Sequence, residues 1–146
     1  MPFPYAPPGL PPNLGEILAA CRTIAVVGLS PNPQRPSHQV ASYLLAAGFD
    51  VIPVNPGPRE ILGRPCFPDL ASIPERVDVV DIFRRAEEVP PIVEQAIALR
   101  PRLIWMQEGI FNHEAAARAE KAGIPVIMDR CLKTEHQLLF GNTDRL

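Results

Sequence analysis

The stretch Thr23-Ile24-Ala25-Val26-Val27-Gly28-Leu29-Ser30 decides how this chain folds. Its apolar, β-branched run ends in a glycine, and a helix start follows at Arg35-Pro36-Ser37. A buried parallel strand that leads into a nucleotide-binding turn has this pattern. The turn nevertheless departs from the dinucleotide-binding fingerprint, which uses three glycines to bring a pyrophosphate close to the backbone. Here Gly28 is the only glycine of the turn, and prolines stand at positions 31, 33 and 36.

The second apolar run also departs from that fingerprint. In dinucleotide-binding domains a carboxylate about 20 residues further on closes the second strand and binds the ribose diol. In this chain Val51-Ile52-Pro53-Val54 leads instead into Asn55-Pro56. The pattern therefore indicates a nucleotide ligand but argues against NAD.

Apolar, β-rich runs recur at intervals of about 20–27 residues, which is the length of one βα unit. They begin at Ile24, Val51, Val77, Leu103 and Ile124. Because nearly every position in these runs is apolar, both faces of each strand are predicted to be covered. The predicted fold is an α/β, three-layer, doubly wound Rossmann-like domain with a five-stranded parallel sheet.

Helical patterns fill the gaps between the predicted strands. We expect helices over residues 37–47, from Pro90-Pro91 onward, after an Asn112 cap, and over residues 135–140. Six of the 19 prolines fall in the first dozen residues, a density that is typical of an extended polyproline arm. The predicted organisation is a proline-rich N-terminal arm over residues 1–14 and one domain over residues 15–146.

Composition narrows the classes of function. A net charge of −2 and a pI near 5.9 do not suit a nucleic-acid-binding protein. No apolar stretch reaches the roughly 18 residues of a membrane span, so we expect a cytoplasmic protein. The odd number of scattered cysteines (Cys21, Cys66 and Cys131) predicts reduced thiols rather than disulfides or a metal site.

Ligands bind a doubly wound sheet at the carboxyl ends of its strands. The residues that follow the first four predicted strands therefore form the predicted binding site. They are Gly28, Leu29, Ser30, Arg35, Pro36, Ser37, Asn55, Pro56, Phe83, Arg84, Arg85, Gln107, Glu108 and Gly109. Asp129, Arg130 and Cys131 follow the fifth strand.

Arginines are unusually frequent at this predicted edge for an acidic protein. Arg35, Arg84, Arg85 and Arg130 each follow a strand or open a helix there. The forked donors of arginine suit phosphate oxygens, and the helix start near Ser37 adds backbone N–H groups and a positive dipole end. We expect a ligand with several phosphates, although Arg84 and Arg85 also fit a solvated corner.

Several sequence blocks recur in a characteristic order. They are Ile24–Ser30, Arg35-Pro36-Ser37, Ile52–Pro56, Ile61-Leu62-Gly63, Val80–Arg85 and Met128–Cys131. In this order they resemble the small stand-alone CoA-binding proteins, which are similar to the N-terminal CoA-binding domain of the succinyl-CoA synthetase α subunit. The resemblance covers roughly residues 15–140. It implies coenzyme A or an acyl-CoA bound across the strand ends.

Individual positions follow the synthetase pattern to different degrees. Gln107-Glu108-Gly109 resembles the Thr-Glu-Gly block that contacts CoA in that domain. The glycine-rich first turn of the synthetase is reduced here to Gly28 and the hydroxyl of Ser30, and Pro58-Arg59 stands near the position of a CoA-contacting lysine. The resemblance therefore implies the location of the site more firmly than the pose of the cofactor.

The resemblance also limits the chemistry, because the phosphorylated histidine of the synthetase belongs to a different domain. His113 and His136 are expected to be solvated, and His38 to lie at the surface, with a phosphate contact as its alternative. Cys131 is expected to be a small buried residue rather than a reactive thiol. Glu108 is expected to order its loop, with general-base chemistry as the alternative. No catalytic or metal-binding residue is predicted.

The sequence thus predicts a non-catalytic CoA-binding module. Two alternatives stay open: an NAD(P)-binding enzyme or redox sensor, and a subunit that supplies CoA to an acyl-CoA ligase. The missing glycines and the missing strand-two carboxylate count against the nicotinamide alternative. An acyl-CoA enzyme is the expected class of protein partner.

Overall fold

The computed structural model describes residues 10–141, so the first nine residues of the predicted arm lie outside it. The strands are β1 (Thr23–Val27), β2 (Asp50–Val54), β3 (Glu60–Ile61), β4 (Arg64–Pro65), β5 (Val79–Ile82), β6 (Leu103–Met106) and β7 (Val126–Ile127). The helices are α1 (Leu14–Ala19), α2 (Pro36–Ala46), α3 (Val89–Leu99), α4 (His113–Lys121) and α5 (Leu132–Phe140). Two short 3-10 helices, Leu70–Ser72 and Ala86–Glu88, precede β5 and α3.

Five strands form one parallel sheet in the order β2-β1-β5-β6-β7. This arrangement confirms the predicted doubly wound α/β fold. The chain moves outward from β1 to β2, then returns to the other side of β1 with β5. The strand order therefore reverses between β1 and β5, and such a switch point leaves a crevice beyond the carboxyl ends of the two strands. A separate antiparallel hairpin, β3–β4, was not predicted.

Alternate residues of the strands point into two apolar layers. Ala25 and Val27 of β1 belong to the layer that also contains Val93 of α3 and Ala119 of α4. Ile24 and Val26 of β1 belong to the opposite layer, which contains the buried residues of α1, α2 and α5. Both faces of the sheet are covered, which explains why its strands are apolar at almost every position.

The predicted helix starts agree with the structure at several positions. The Asn112 side chain accepts a hydrogen bond from the backbone N–H of Ala115 and caps α4, and a proline occupies the first turn of both α2 and α3. The short last helix begins earlier than predicted, at Leu132. Helix α1 begins within the predicted arm, and its Leu14 and Leu18 are buried. No helix within residues 10–141 is long and apolar enough to cross a membrane.

Asp78 closes the end of the sheet opposite to the crevice. Its carboxylate accepts hydrogen bonds from the backbone N–H groups of Arg22 (2.8 Å) and Thr23 (3.2 Å), and it forms an ion pair with Arg76 at 3.3 Å. Burial alone raises the pKa of this carboxyl, but the hydrogen bonds and the nearby Arg76 outweigh it. The pKa of Asp78 therefore lies below its usual value.

Asp81 is the opposite case, in the middle of β5. Its side chain is 0 % exposed, and neither carboxylate oxygen has a hydrogen-bond partner among the described residues. Its strand neighbours in register are Val26 and Trp105. Because burial disfavours the charged form and nothing compensates for it, the pKa of Asp81 lies well above the usual value of 3.8.

Candidate functional site

A cavity of about 520 Å³ opens at the switch point between β1 and β5. Three connections form its walls: the turn from β1 to α2, the segment from β5 to α3, and the loop after β6. The lining residues are Gly28, Ser30, Arg35, Pro36, Ser37, Phe83, Arg84, Arg85, Ala86, Glu87, Gly109 and Ile110. Most of them were predicted from their positions at strand ends, so the structure brings these residues together.

The other predicted residues do not line this cavity. Leu29 is buried in the apolar layer beneath α2, and the Asn55 amide donates to the Leu29 carbonyl at 2.8 Å. Gln107 is also buried, and its side-chain oxygen accepts from the N–H of Leu132 at the start of α5. Glu108 is exposed beside the cavity. The side chains of Leu29 and Gln107 are therefore structural.

Three cavity residues were not predicted. Ala86 and Glu87 directly follow the predicted Arg84-Arg85 pair, and Ile110 follows the predicted Gly109. The signal that could have found them was present in the sequence, because each continues a loop that had already been assigned to the strand ends.

The turn from β1 to α2 is stabilised by its own side chains. The Ser30 N–H donates to Ser37 Oγ at 3.0 Å, and the Asn32 N–H donates to Ser30 Oγ at 3.0 Å. The Gln34 N–H donates to Asn32 Oδ1 at 2.9 Å. The ring of His38 is half-buried, with Nδ1 2.9 Å from the Ser30 carbonyl oxygen, so this histidine supports the turn and does not lie free at the surface.

These bonds change how the turn can bind phosphate. A glycine-rich turn presents its backbone N–H groups to the ligand. Here several of those groups are already bonded within the turn, and the three prolines have none. Within the described part of the chain, the Ser37 N–H at the start of α2 has no internal acceptor. The turn therefore leaves mainly side chains available to contact an anion.

Gly28 is the point at which the turn touches β5. Its φ of +85° is a conformation that glycine adopts readily, and its N–H donates to the Val54 carbonyl at 2.8 Å. A Cβ atom at this position would lie 2.3 Å from the Phe83 carbonyl oxygen and 2.9 Å from Cδ of Arg84. The close approach of the two strand ends requires this glycine.

Arginine side chains give the cavity its positive charge. Arg84 Nη2 lies 3.2 Å from one oxygen of Glu88, and Arg85 Nε lies 3.2 Å from the other. The hydrogen bond from Arg85 and the charges of both arginines lower the pKa of Glu88. Arg35 is exposed and forms no ion pair within residues 10–141.

The fourth predicted arginine lies elsewhere. Arg130 pairs with Glu135 on α5 at 3.4 Å and does not line the cavity. Its carbonyl oxygen accepts a 2.7 Å bond from the indole N–H of Trp105, which is fully buried. The expected group of four arginines is therefore a group of three. Arg130 follows a strand, but its guanidinium is directed to α5.

A second, smaller cavity of about 170 Å³ adjoins the first. Both cavities are lined by Gly28 and Arg84. The other residues that line the smaller cavity are mostly apolar: Val27, Val54, Pro56, Pro68, Leu70, Pro91 and Ile92, with Asp69 and Gln95 as polar members. The predicted residue Pro56 belongs to this second cavity. The whole site thus combines a cationic part and an apolar part.

Comparison with known proteins identifies the family of this chain. The model of a family described as a CoA-binding domain matches residues 22–137. The chain belongs to this CoA-binding domain family. The match covers the five-stranded sheet and all residues of both cavities, and it confirms the resemblance inferred from the sequence blocks.

Relatives in this family occur in two settings. The uncharacterized protein YneT of Bacillus subtilis is 40% identical over 124 residues, which are 85% of this chain and 92% of YneT. A solved structure of a hypothetical protein from Pyrococcus horikoshii OT3 has a TM-score of 0.87 at 41% identity, covering 91% of this chain and 94% of that one. The ADP-forming acetate–CoA ligase I of Archaeoglobus fulgidus is 30% identical over 121 residues, 76% of this chain but only 18% of the ligase.

The remaining titratable residues of the CoA-binding domain lie outside both cavities. His113 is exposed, as predicted. His136 is half-buried, where Nδ1 contacts the Tyr43 hydroxyl and the ring stacks on Phe140. Burial lowers the pKa of His136. Because the ring is half-buried, the prediction of a solvated side chain is wrong. Within residues 10–141, no group of three His, Cys, Asp or Glu side chains is placed to hold a metal ion, and all three cysteines are free thiols.

Proposed function

We propose that this protein binds coenzyme A, or an acyl-CoA, at the carboxyl edge of its parallel sheet and acts without catalysis of its own. The observation that carries the proposal is the pair of joined cavities at the switch point, one cationic and one apolar. CoA combines several phosphates with a flat base and a long, weakly polar arm. Membership of the CoA-binding domain family supports the same ligand.

The two cavities suggest how the parts of CoA are distributed. The phosphates would lie in the larger cavity, where Arg35, Arg84 and the Ser37 N–H can donate to their oxygens. The flat base would fit the smaller cavity, whose apolar wall includes Leu70 and Ile92. Arg84 lines both cavities and would lie beside the junction of the two parts.

The site favours a binding role over turnover. The two serines of the cavity wall, Ser30 and Ser37, use their hydroxyl oxygens as acceptors within the turn. No histidine of the described chain lines the cavity to activate them. A holder of this kind would present the reactive end of CoA to another protein.

A second candidate function is a subunit that supplies CoA to a separate acyl-CoA ligase. The similarity to 18% of an acetate–CoA ligase favours it, because a related segment there is joined to a longer enzyme. A nicotinamide-binding enzyme is less well supported. Asn55 stands where a ribose-binding carboxylate belongs, and its amide is bonded to the Leu29 carbonyl.

CoA is expected to raise the melting temperature of the protein, whereas NAD is expected to leave it unchanged. A ligand that binds only the folded state stabilises it in proportion to the logarithm of its concentration over Kd. The measurement is a thermal-shift series with CoA, acetyl-CoA, NAD, NADP and ATP. Micromolar binding of NAD, with no shift from CoA, would favour the nicotinamide alternative and reject the proposal.

Arg35 is expected to carry much of the affinity for CoA. Arg35→Ala should weaken binding by about 1.5–3 kcal/mol, the contribution of a hydrogen bond between charged groups. Arg35→Lys should recover only part of this, because an ammonium group cannot donate in a fork. Arg118→Ala is the control, since Arg118 lies on α4 and bonds to Glu94. Calorimetric titration that gives equal CoA affinity for all Arg35 forms would remove Arg35 from the site.

A further inference from the structure

Two neighbouring glutamates at the cavity have different surroundings. Glu88 accepts a hydrogen bond from Arg85 and forms an ion pair with Arg84, yet it does not line the cavity. Its carboxylate therefore pairs with both arginines without forming part of the cavity wall. Glu87 does line the cavity, is exposed, and forms no ion pair within residues 10–141.

A carboxylate on the wall of a phosphate site has two physical effects. Its negative charge opposes every phosphate that enters, and the repulsion grows with the charge of the ligand. It can also accept hydrogen bonds, but only from a ligand that brings an N–H or O–H donor. Glu88 is paired with Arg84 and Arg85. Glu87 is not paired with either arginine, so its carboxylate oxygens can accept hydrogen bonds from a ligand.

We propose that Glu87 is a specificity-determining residue of this site. It accepts a hydrogen bond from a hydroxyl or amide N–H of a phosphate-containing ligand, and this bond outweighs the repulsion between its charge and the phosphates. A ligand that consists of phosphate alone meets only the repulsion. The inference rests on the proposed function and adds a selection rule to it. CoA meets the rule, since it carries amide N–H groups and hydroxyls beside its phosphates, whereas inorganic pyrophosphate lacks such carbon-bound donors.

The test compares CoA and inorganic pyrophosphate on three variants of the full chain. CoA is titrated by calorimetry, and pyrophosphate is measured by competition against CoA. In Glu87→Ala, CoA should bind about three- to tenfold more weakly because its donor loses an acceptor. In the same variant, pyrophosphate should bind about threefold or more tightly because a repelling charge is gone.

Two further variants separate this role from a structural one. Glu87→Gln keeps an acceptor oxygen, so it should bind CoA better than Glu87→Ala does while also binding pyrophosphate more tightly than the wild type. Glu88→Gln, at a residue that does not line the cavity, should change the affinity for both ligands in the same direction, because both depend on Arg84 and Arg85. A change in opposite directions for the two ligands is not expected from a general disturbance of the loop.

The outcomes distinguish the inference from the proposed function. If the wild type binds CoA and Glu87→Ala binds it equally well, the role of Glu87 is rejected and CoA binding stands. If Glu87→Ala lowers the affinity for CoA and the affinity for pyrophosphate by the same factor, Glu87 supports the loop and the selection rule is rejected. If the wild type does not bind CoA, the proposed function is rejected, and the selection rule with it.

Discussion

Replacing Asp81 by asparagine is expected to stabilise the folded protein, by an amount that grows as the pH rises. The buried carboxyl keeps its proton in the folded state, while the unfolded state loses it above the usual pKa of 3.8. Unfolding then releases a proton, so Asp81 lowers the unfolding free energy by about 1.4 kcal/mol per pH unit until its folded pKa is reached. The neutral amide of asparagine removes this term.

The measurement is urea unfolding of both proteins at pH 5 and pH 8. Asp78→Asn is the matched control, because the pKa of Asp78 is lowered and its contribution has the opposite sign. Asp78 stabilises the fold above the usual carboxyl pKa and loses that contribution as the pH falls. Both pH values lie above that pKa, so the cost of Asp78→Asn should be nearly equal at pH 5 and pH 8. A stability difference for Asp81→Asn that is equal at both pH values would contradict the expectation.

Gly28→Ala is expected to destabilise the protein by about 3 kcal/mol or more and to abolish measurable CoA binding. The new Cβ would meet the Phe83 carbonyl oxygen at 2.3 Å, in addition to the strain of a φ of +85°. The turn can relieve this clash only by moving away from the end of β5. That movement would separate the walls of both cavities at Gly28, one of the two residues they share.

Gly109→Ala distinguishes the clash from the backbone strain. Gly109 also lines the larger cavity and has a φ of +83°, but no atom lies within 4 Å of its Cβ position. The Gly109→Ala variant should lose only about 1–2 kcal/mol of unfolding free energy and keep its affinity for CoA. Unfolding experiments and CoA titrations on both variants provide the test. Equal losses in the two proteins would show that the contact with Phe83 carries no energy.

The parallel sheet could be predicted because its signal is repeated along the chain. Apolar runs that begin at Ile24, Val51 and Leu103 alternate with helical patterns at the period of a βα unit, and the fold follows from that alternation. Elements without a periodic signal were missed. Helix α1 has six residues and owes its stability to the burial of Leu14 and Leu18, which sequence periodicity does not show over so short a segment.

The candidate site was predicted in position but only partly in detail. Position at a strand end identifies a loop, and the loops of Gly28, Ser37 and Arg84 do meet at one cavity. Position does not give the direction of a side chain. Gln107 turns inward to the start of α5, while Arg130 pairs with Glu135. The unpartnered state of Asp81 depends on neighbours from other strands, which a single sequence does not reveal.

The hydrogen bonds within the β1–α2 turn also affect the entropic cost that ligand binding would have. Ser30, Asn32 and Ser37 hold the turn in shape through bonds of their own. If CoA binds as proposed, the backbone would lose little freedom, and the ordering cost would fall on the side chain of Arg35. In the proposed complex the charge of the arginines would attract the phosphates of CoA at long range, so the association rate should fall as salt screens that attraction. A turn of this kind suits a protein that must collect and release its ligand repeatedly.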